Sequence, residues 1–402
     1  MKSRILFLLT LVLLLLGTAQ LPGQEEVEKR ASVRIHIPDS SVEREGDGGM
    51  RAHTNHIVVL NAESAAKQFA ASLPAGENPA SLRSVYGVPS TGGSHVIAIV
   101  DAFDYPTAEN DLGVFSSTFG LPPCTTSNGC FQKVFAGGRR PRSNCGWAQE
   151  AALDIEWAHA MAPSARIILV EARSSSFADL FQAVDVASNL VSPSGTGLGE
   201  VSMSWGGSEF STEASNDSHF TRAGVVYFAA SGDTGGVRIY PGVSPNVVSA
   251  GGTRINRDAS GNFVSETGWS GSGGGPSAFE PRPSYQNGIA TIVGSSRGAP
   301  DYSFDADPNS GVAVYDSTSC QGLVGWLVFG GTSVASPSLA GIVNLAGHFS
   351  SNSNGELTTM YTDPLQSSDF RDILSGTAGS FTAKAGWDFV TGIGSNKGTL
   401  GK

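Results

Sequence analysis

Val96-Ile97-Ala98-Ile99-Val100 is an unbroken apolar run. A strand covered on one face alternates apolar and polar residues, so a run without alternation reads as a strand buried on both faces. Similar runs recur at Arg166 to Glu171, Val201 to Trp205, Val225 to Ala230 and Val247 to Ala250. Between them, Trp147 to Met161 carries helical apolar spacing and stops before Pro163, and Phe177 to Leu190 carries it again. Strand and helix in alternation predict an α/β fold: a mainly parallel sheet with helices on its faces. A last helix is predicted from about Ser333 to His348, and no internal repeat is present.

The 402 residues, 40% hydrophobic, suffice for a core in one large domain or two smaller ones. A net charge of −11 argues against nucleic acid and anionic membranes as partners. The 51 glycines fall largely after residue 190 and indicate elaborate loops. At the N-terminus, Lys2 and Arg4 precede apolar Ile5 to Leu16 and then small Gly17-Thr18-Ala19. This reads as a secretory signal over residues 1–19, and hence a secreted, extracellular protein. The run is short for a membrane span of about 20 residues, and an uncleaved anchor is the alternative. No later segment reads as transmembrane.

Residues 20–78 are polar and irregular and read as a short pro-segment or linker before a main domain at 79–402. Within them, His53-Thr54-Asn55-His56 reads as a surface turn, since no third ligand accompanies the histidines. Cys124 and Cys130 bracket a polar turn that a disulfide would close, and the distant Cys145 and Cys320 are available to pair. No CxxC pair or Cys/His cluster supports a zinc site.

Three local patterns carry chemistry. In Gly330-Gly331-Thr332-Ser333-Val334-Ala335-Ser336-Pro337, an apolar strand enters a glycine turn and then a helix that opens at Ser333. Backbone N–H groups and the helix dipole there suit a developing oxyanion, although Thr332 or Ser333 also fits a plain N-cap. Glu150 and Asp154 stand at i and i+4, which puts two carboxylates on one helix face. Buried, such a pair shares a proton and can accept another from a serine in acid; solvated, it is an ordinary acidic face. Asp233 ends a buried apolar strand in Ser231-Gly232-Asp233-Thr234-Gly235, where a protonated carboxyl would donate to an oxyanion and where an Asp-Gly turn is equally at home. His159 lies nine positions past Glu150, too far along the helix to serve it.

Taken in order, GWAQEAALDIEWAHAMAP, SMSWGG, SGDTGG, SGGGPS, DADPNSGVAVYD, GGTSVASP and AGWDFVTGIG resemble the sedolisins, the serine-carboxyl peptidases. The matching stretch runs from about Pro79 to Ser395. The resemblance implies a subtilisin-like three-layer α/β sandwich and hydrolysis of protein or peptide substrates at acidic pH. It implies Ser333 as nucleophile, Glu150 as the carboxylate taking its proton, Asp154 as the residue tuning Glu150, and Asp233 as the oxyanion acid. None of the seven histidines sits in the glycine-rich turn that subtilisins use. Asp101, at a strand end comparable to that of the subtilisin triad aspartate, is expected to be supporting or structural. Substrate backbone is expected to pair with Ser204, Trp205 and Gly206 and with Ser231 and Gly232, although Trp205 equally suits the core. The Ser272 to Ser277 loop is expected near the cleft.

One Ca²⁺ per chain is implied, held by the Asp372 and Asp388 side chains and the carbonyls of Ile373, Lys384 and Gly386. The stretch between Ile373 and Gly386 is shorter than usual for the family, which weakens the place of Lys384. The segment before residue 79 is also far shorter than the usual folded pro-domain. The resemblance leaves open a tripeptidyl exopeptidase or a catalytically dead peptide-binding protein. A monomer is expected, without nucleic acid or stable membrane partners.

Overall fold

The strand predicted at 96–100 extends over Val96–Ala102, and its residues divide between two cores. Ile97 and Ile99 join a cluster with residues of the Ala108–Phe119, Cys145–Met161 and Thr332–Ala346 helices. Ala98 and Val100 join a second cluster under the Phe177–Val191 helix. Apolar burial on both faces explains why the run does not alternate. The computed structural model describes residues 34–60, 74–363 and 366–402. The expected signal region, 1–19, lies outside the described residues.

Seven strands lie parallel in the order Phe131–Phe135, Arg166–Ala172, Val96–Ala102, Gly199–Met203, Val225–Ala230, Val248–Arg257, Tyr302–Asp305. Ser395–Asn396 and Phe370–Arg371 extend one edge, and Phe263–Gly268 forms an antiparallel hairpin with Val248–Arg257. The architecture is therefore the expected three-layer, subtilisin-like α/β sandwich. Parallel strands bring their carboxyl ends to one side, where such sheets bind ligands. Asp101, Glu171, Ser204 and Ser231 all arrive there.

The Cys145–Met161 helix starts on Asn144, whose side chain accepts the N–H groups of Gly146 and Trp147. Every residue from Gly146 to Met161 is buried, including Glu150, Asp154 and Glu156. A Cys145–Cys320 disulfide ties the start of this helix to the end of the Val312–Cys320 strand, and Cys124 pairs with Cys130.

Residues 34–60 depart from the expected irregular segment. Ile57–Val59 pairs antiparallel with Ile35–His36 on one side and with Leu323–Gly330 on the other. His53–Thr54 pairs antiparallel with Trp205–Ser208. The apolar run Ile57-Val58-Val59 is buried and supplies the reason. No helix among the described residues is long and apolar enough to cross a membrane.

Candidate active site

The Leu323–Gly330 strand runs through Gly331 into the Thr332–Ala346 helix and so fixes Ser333 at a helix start. Gly331 has φ 105°, and a Cβ there would stand 2.2 Å from the Asn55 carbonyl oxygen and 2.5 Å from Asp233 Oδ2. Only glycine fits such a point. Ser333 is fully buried. Its Oγ donates to the Ser204 carbonyl at 3.2 Å, and its N–H donates to the Asn55 carbonyl at 3.0 Å. Pro337 has no N–H to give the Ser333 carbonyl four residues earlier, and the Ser204 hydroxyl approaches that carbonyl at 3.4 Å instead.

Glu150 and Asp154 share one helix face, as the spacing predicts, and both are fully buried rather than solvated. The Ser204 hydroxyl lies 2.8 Å from Asp154 Oδ1. That hydroxyl donates to Asp154, the shorter of its two contacts. Burial pushes the Asp154 carboxyl well above its usual range, helped by the charges of Asp101 and Glu150 and opposed by the Ser204 hydrogen bond. Asp101 is buried with neither carboxylate oxygen hydrogen-bonded. Burial, then Glu150 and Glu171, push it up likewise. Asp101 is thus part of the acid cluster, the supporting one of the two places expected for it.

Asp233 follows the Val225–Ala230 strand. Its Oδ1 accepts the Thr332 N–H at 2.7 Å and the Thr332 hydroxyl at 2.8 Å, while Oδ2 has no partner. Burial pushes its carboxyl up to about 8 against the pull of these two donors. In acid it holds a proton, beside the same Gly331 gap that the Asn55 carbonyl enters.

The surface turn read at 53–56 is corrected. His56 is fully buried, and its Nδ1 lies 2.7 Å from Glu150 Oε2. Asn55 donates its N–H and its side-chain amide to the Ser204 carbonyl, each at 3.2 Å. His53 and Thr54 stand opposite Gly206 and Trp205. The chain's own residues 53–55 therefore lie along Ser204-Trp205-Gly206, the edge expected to pair with substrate. Sequence reading missed His56 because its partner is 94 positions away; the apolar residues 57–59 were the signal that could have marked a buried strand.

The other expected residues fall as follows. The Trp205 indole sits in the core and donates to the Val100 carbonyl at 2.7 Å, while its backbone forms the cleft edge. Gly232 gives its N–H to Thr332 Oγ1 and its carbonyl to the Gly273 N–H, and the Ser231 N–H goes to Ala250. Neither residue's backbone contacts segment 53–55 in this way. The Ser272 to Ser277 loop bonds both sides of the Asp233 turn, its Ser272 carbonyl accepting the Gly236 N–H and its Gly273 N–H donating to the Gly232 carbonyl, while the Ser272 hydroxyl donates to the Val390 carbonyl at 2.9 Å. His159 is a core residue bonded to the Pro122 carbonyl. It lies near Cys124 and Cys130, but their sulfurs are joined to each other and are not metal donors.

At the C-terminal end, Asp372 Oδ2 accepts the Gly386 N–H at 3.0 Å, and Asp388 Oδ2 accepts the Lys384 N–H at 2.9 Å. Asp388 Oδ1 accepts from Val390 and Thr391. Both carboxylates thus bond the turn at residues 384–386, Asp372 from the surface and Asp388 from a buried position, with Ile373 also buried.

No protein-family model matches the chain. It is 26% identical over 390 residues to sedolisin of Pseudomonas sp. (strain 101), covering 86% of this chain and 63% of that protein. It is 32% identical over 283 residues to kumamolisin of Bacillus sp. (strain MN-32), covering 61% of this chain and 49% of that protein. The chain thus spans about half to two thirds of the length of these relatives. A solved structure of Pseudomonas sedolisin, a serine-carboxyl proteinase complexed with two molecules of pseudo-iodotyrostatin, shares the fold. Its TM-score is 0.67 at 24% identity, over 80% of this chain and 95% of that one. With its buried serine, paired helix acids and strand-end aspartate, the chain is thus similar to the sedolisins in sequence and shares the fold of one of them.

Proposed function

We propose that this chain is a secreted serine-carboxyl endopeptidase, hydrolysing proteins and peptides in acid through an acyl-enzyme on Ser333. One observation carries the reading. A peptide carbonyl, that of Asn55, is held by the Ser333 N–H beside the buried Asp233 carboxyl. That is the arrangement an oxyanion hole requires.

In the reaction, Ser333 Oγ turns from the Ser204 carbonyl and attacks the substrate carbonyl carbon as Glu150 takes its proton. Asp154, one helical turn away, tunes Glu150 through the repulsion between their charges rather than through a hydrogen bond. The charge building on the carbonyl oxygen meets the Ser333 N–H and the proton of Asp233. Glu150 then protonates the leaving amine, and water releases the acyl group from Ser333 by the reverse path. Buried acids that keep protons to high pH suit this work at pH values where a histidine base would already be charged.

The endopeptidase reading is supported by residues 53–58, a continuous stretch of chain that pairs with the Trp205–Ser208 strand before the Asn55 carbonyl and with the Leu323–Gly330 strand after it. Two disulfides fit the expected export. Residues 1–19 are proposed as signal, 20–78 as pro-segment and 79–402 as the peptidase, acting as a monomer.

One calcium ion is proposed at the Asp372–Asp388 loop, with the carbonyls of Ile373, Lys384 and Gly386. The donor set fits: each carboxylate retains lone pairs beyond its N–H partners, and Asp372, Lys384 and Gly386 are exposed beside the buried Asp388. Such an ion would brace the loop and takes no part in the chemistry.

Digesting a peptide library across pH, beside Ser333→Ala and Glu150→Gln, tests the reading. Cleavage at internal bonds in acid, lost in both variants, is expected. Activity surviving Ser333→Ala overturns the mechanism. Binding without cleavage by the chain in every form would mark a peptide-binding protein on this scaffold.

A further inference from the structure

We propose that Cys124, Cys130 and His159 form a redox-gated metal site: once a thiol or phosphine reductant opens the Cys124–Cys130 bond, the two thiolates and His159 Nδ1 take up one divalent ion of the Zn²⁺ type. The proposal goes beyond the peptidase reading and does not rest on it.

The cysteines sit in the turn between the Ala108–Phe119 helix and the Phe131–Phe135 strand, and His159 lies in the last turn of the helix that carries Glu150 and Asp154. One ligand atom from each of the three residues lies within 4.8 Å of the other two. Cys124 and His159 are fully buried, and Cys130 is half-buried. Joined as a disulfide, the sulfurs offer a metal nothing. Reduction adds two electrons and two protons and leaves two thiols, while the reductant is oxidised. The ion then displaces both thiol protons to solvent.

The state of His159 is the independent sign of a ligand. Its Nε2 lies 2.9 Å from the Pro122 carbonyl. A carbonyl only accepts, so Nε2 carries the hydrogen and Nδ1 keeps a bare lone pair. That Nδ1 is shut from water and has no partner. Burial holds the imidazole pKa down against the Pro122 bond, with the Arg83 charge helping, so the ring is neutral. A buried acceptor left bare is costly in a ring that merely packs. In a metal ligand it is the working atom, and a metal-bound histidine typically gives its other N–H to a backbone carbonyl. Pro122 belongs to the same turn as the sulfurs, so one segment supplies two ligands and aims the third.

The turn has its own scaffold apart from the disulfide. Asn128 accepts the Thr125 and Cys130 N–H groups and donates to the Pro123 carbonyl, and Glu109 accepts the Thr126 N–H and hydroxyl. The thiols therefore stay side by side when their bond opens. Around a tetrahedral zinc they need stand only about 3.8 Å apart, given a Zn–S distance of about 2.3 Å. Water reaches the fourth position past the half-buried Cys130. Two thiolates and a divalent ion sum to zero, so loading buries no net charge. The disulfide ties the turn to itself, whereas the ion would tie it to the helix of Glu150 and Asp154.

The competing account is a plain disulfide beside a packed histidine, and it predicts no metal uptake by the reduced chain. The test uses the full chain, reduced with a phosphine, freed of it without air, and titrated with Co²⁺. Visible bands of a tetrahedral ion and near-ultraviolet thiolate charge transfer are expected, and Zn²⁺ should bleach them. Alkylation mapped by mass spectrometry should show Cys124 and Cys130 slowed about tenfold or more by Zn²⁺, with Cys145 and Cys320 unaffected. His159→Gln keeps a nitrogen donor for the Pro122 carbonyl and removes Nδ1, and it should weaken Co²⁺ binding about a hundredfold. Absence of the bands from a reduced chain with native circular dichroism overturns the site. So does equal binding by His159→Gln, or shielding of Cys145 and Cys320 in place of the other two. If reduction itself removes the native circular dichroism, its recovery on adding Zn²⁺ upholds the site and its failure to recover ends it.

Discussion

The cleft and the C-terminal loop both gather carboxylates, and they treat them in opposite ways. In the cleft, Asp101 has no hydrogen-bond donor, Asp154 meets only a serine hydroxyl, and Asp233 keeps one oxygen bare. At the loop, Asp388 accepts three backbone N–H groups, which oppose the rise that burial imposes. Asp372 lies exposed and takes the Gly386 N–H. Acids starved of donors keep protons and can pass them on; acids fed by backbone donors favour charge and can hold a cation. The same residue type serves two purposes according to which backbone groups surround it.

Substitutions in the cleft should break this contrast most severely. Ser333→Ala should lower peptide hydrolysis by about ten-thousand-fold or more, measured as kcat/KM in acid. Asp233→Asn removes the acid proton facing the oxyanion while keeping the shape. It should cost on the order of a hundredfold to a thousandfold in kcat, with KM little changed. Gly331→Ala should weaken both activity and folding, because the new Cβ meets Asp233 and any carbonyl in the Asn55 position.

The pH dependence of stability sharpens the comparison. Asp233, Glu171 and Glu213 are pushed up to about 8, and Glu280, Asp316 and Glu356 to about 7, burial being the largest cause in each. These groups keep protons in the fold that the unfolded chain releases near pH ~4. Stability is therefore greatest in acid and falls as pH rises from that value through the folded ones. Thermal melts should show the midpoint dropping by about 5 °C or more between mildly acid and neutral pH. A melt that instead rises with pH would mean these carboxyls are ionised in the fold.

The smallest effect belongs to the loop. A calcium chelator should lower the melting midpoint by a few degrees, and Asp388→Asn should abolish that response. Glu150→Gln should leave it intact, since the two acid sets are separate. No chelator effect on the unsubstituted chain would remove the ion from the account.

The sheet was legible because its central strands bury both faces, and a strand such as Val96–Ala102 shows that as an unbroken apolar run. The helix acids were legible as a spacing, and the structure supplied what spacing lacks, namely that Glu150 and Asp154 are shut from water. Cys145 and Cys320 stood too far apart in sequence for their pairing to be more than available. His56 was illegible for a related reason. A lone histidine in a polar stretch shows nothing of a partner on a distant helix, and a two-residue strand such as His53–Thr54 is too short to show alternation.

The strand paired with the Trp205–Ser208 edge is covalently part of the same protein. Its local concentration is on the order of millimolar, whatever the dilution, so a soluble peptide reaching that edge meets a rival that cannot be washed away. Onset of hydrolysis then carries a kinetic signature. If withdrawal of residues 53–59 is unimolecular, the lag before steady turnover is the same at every protein concentration. If one molecule trims another, the lag shortens as the concentration rises.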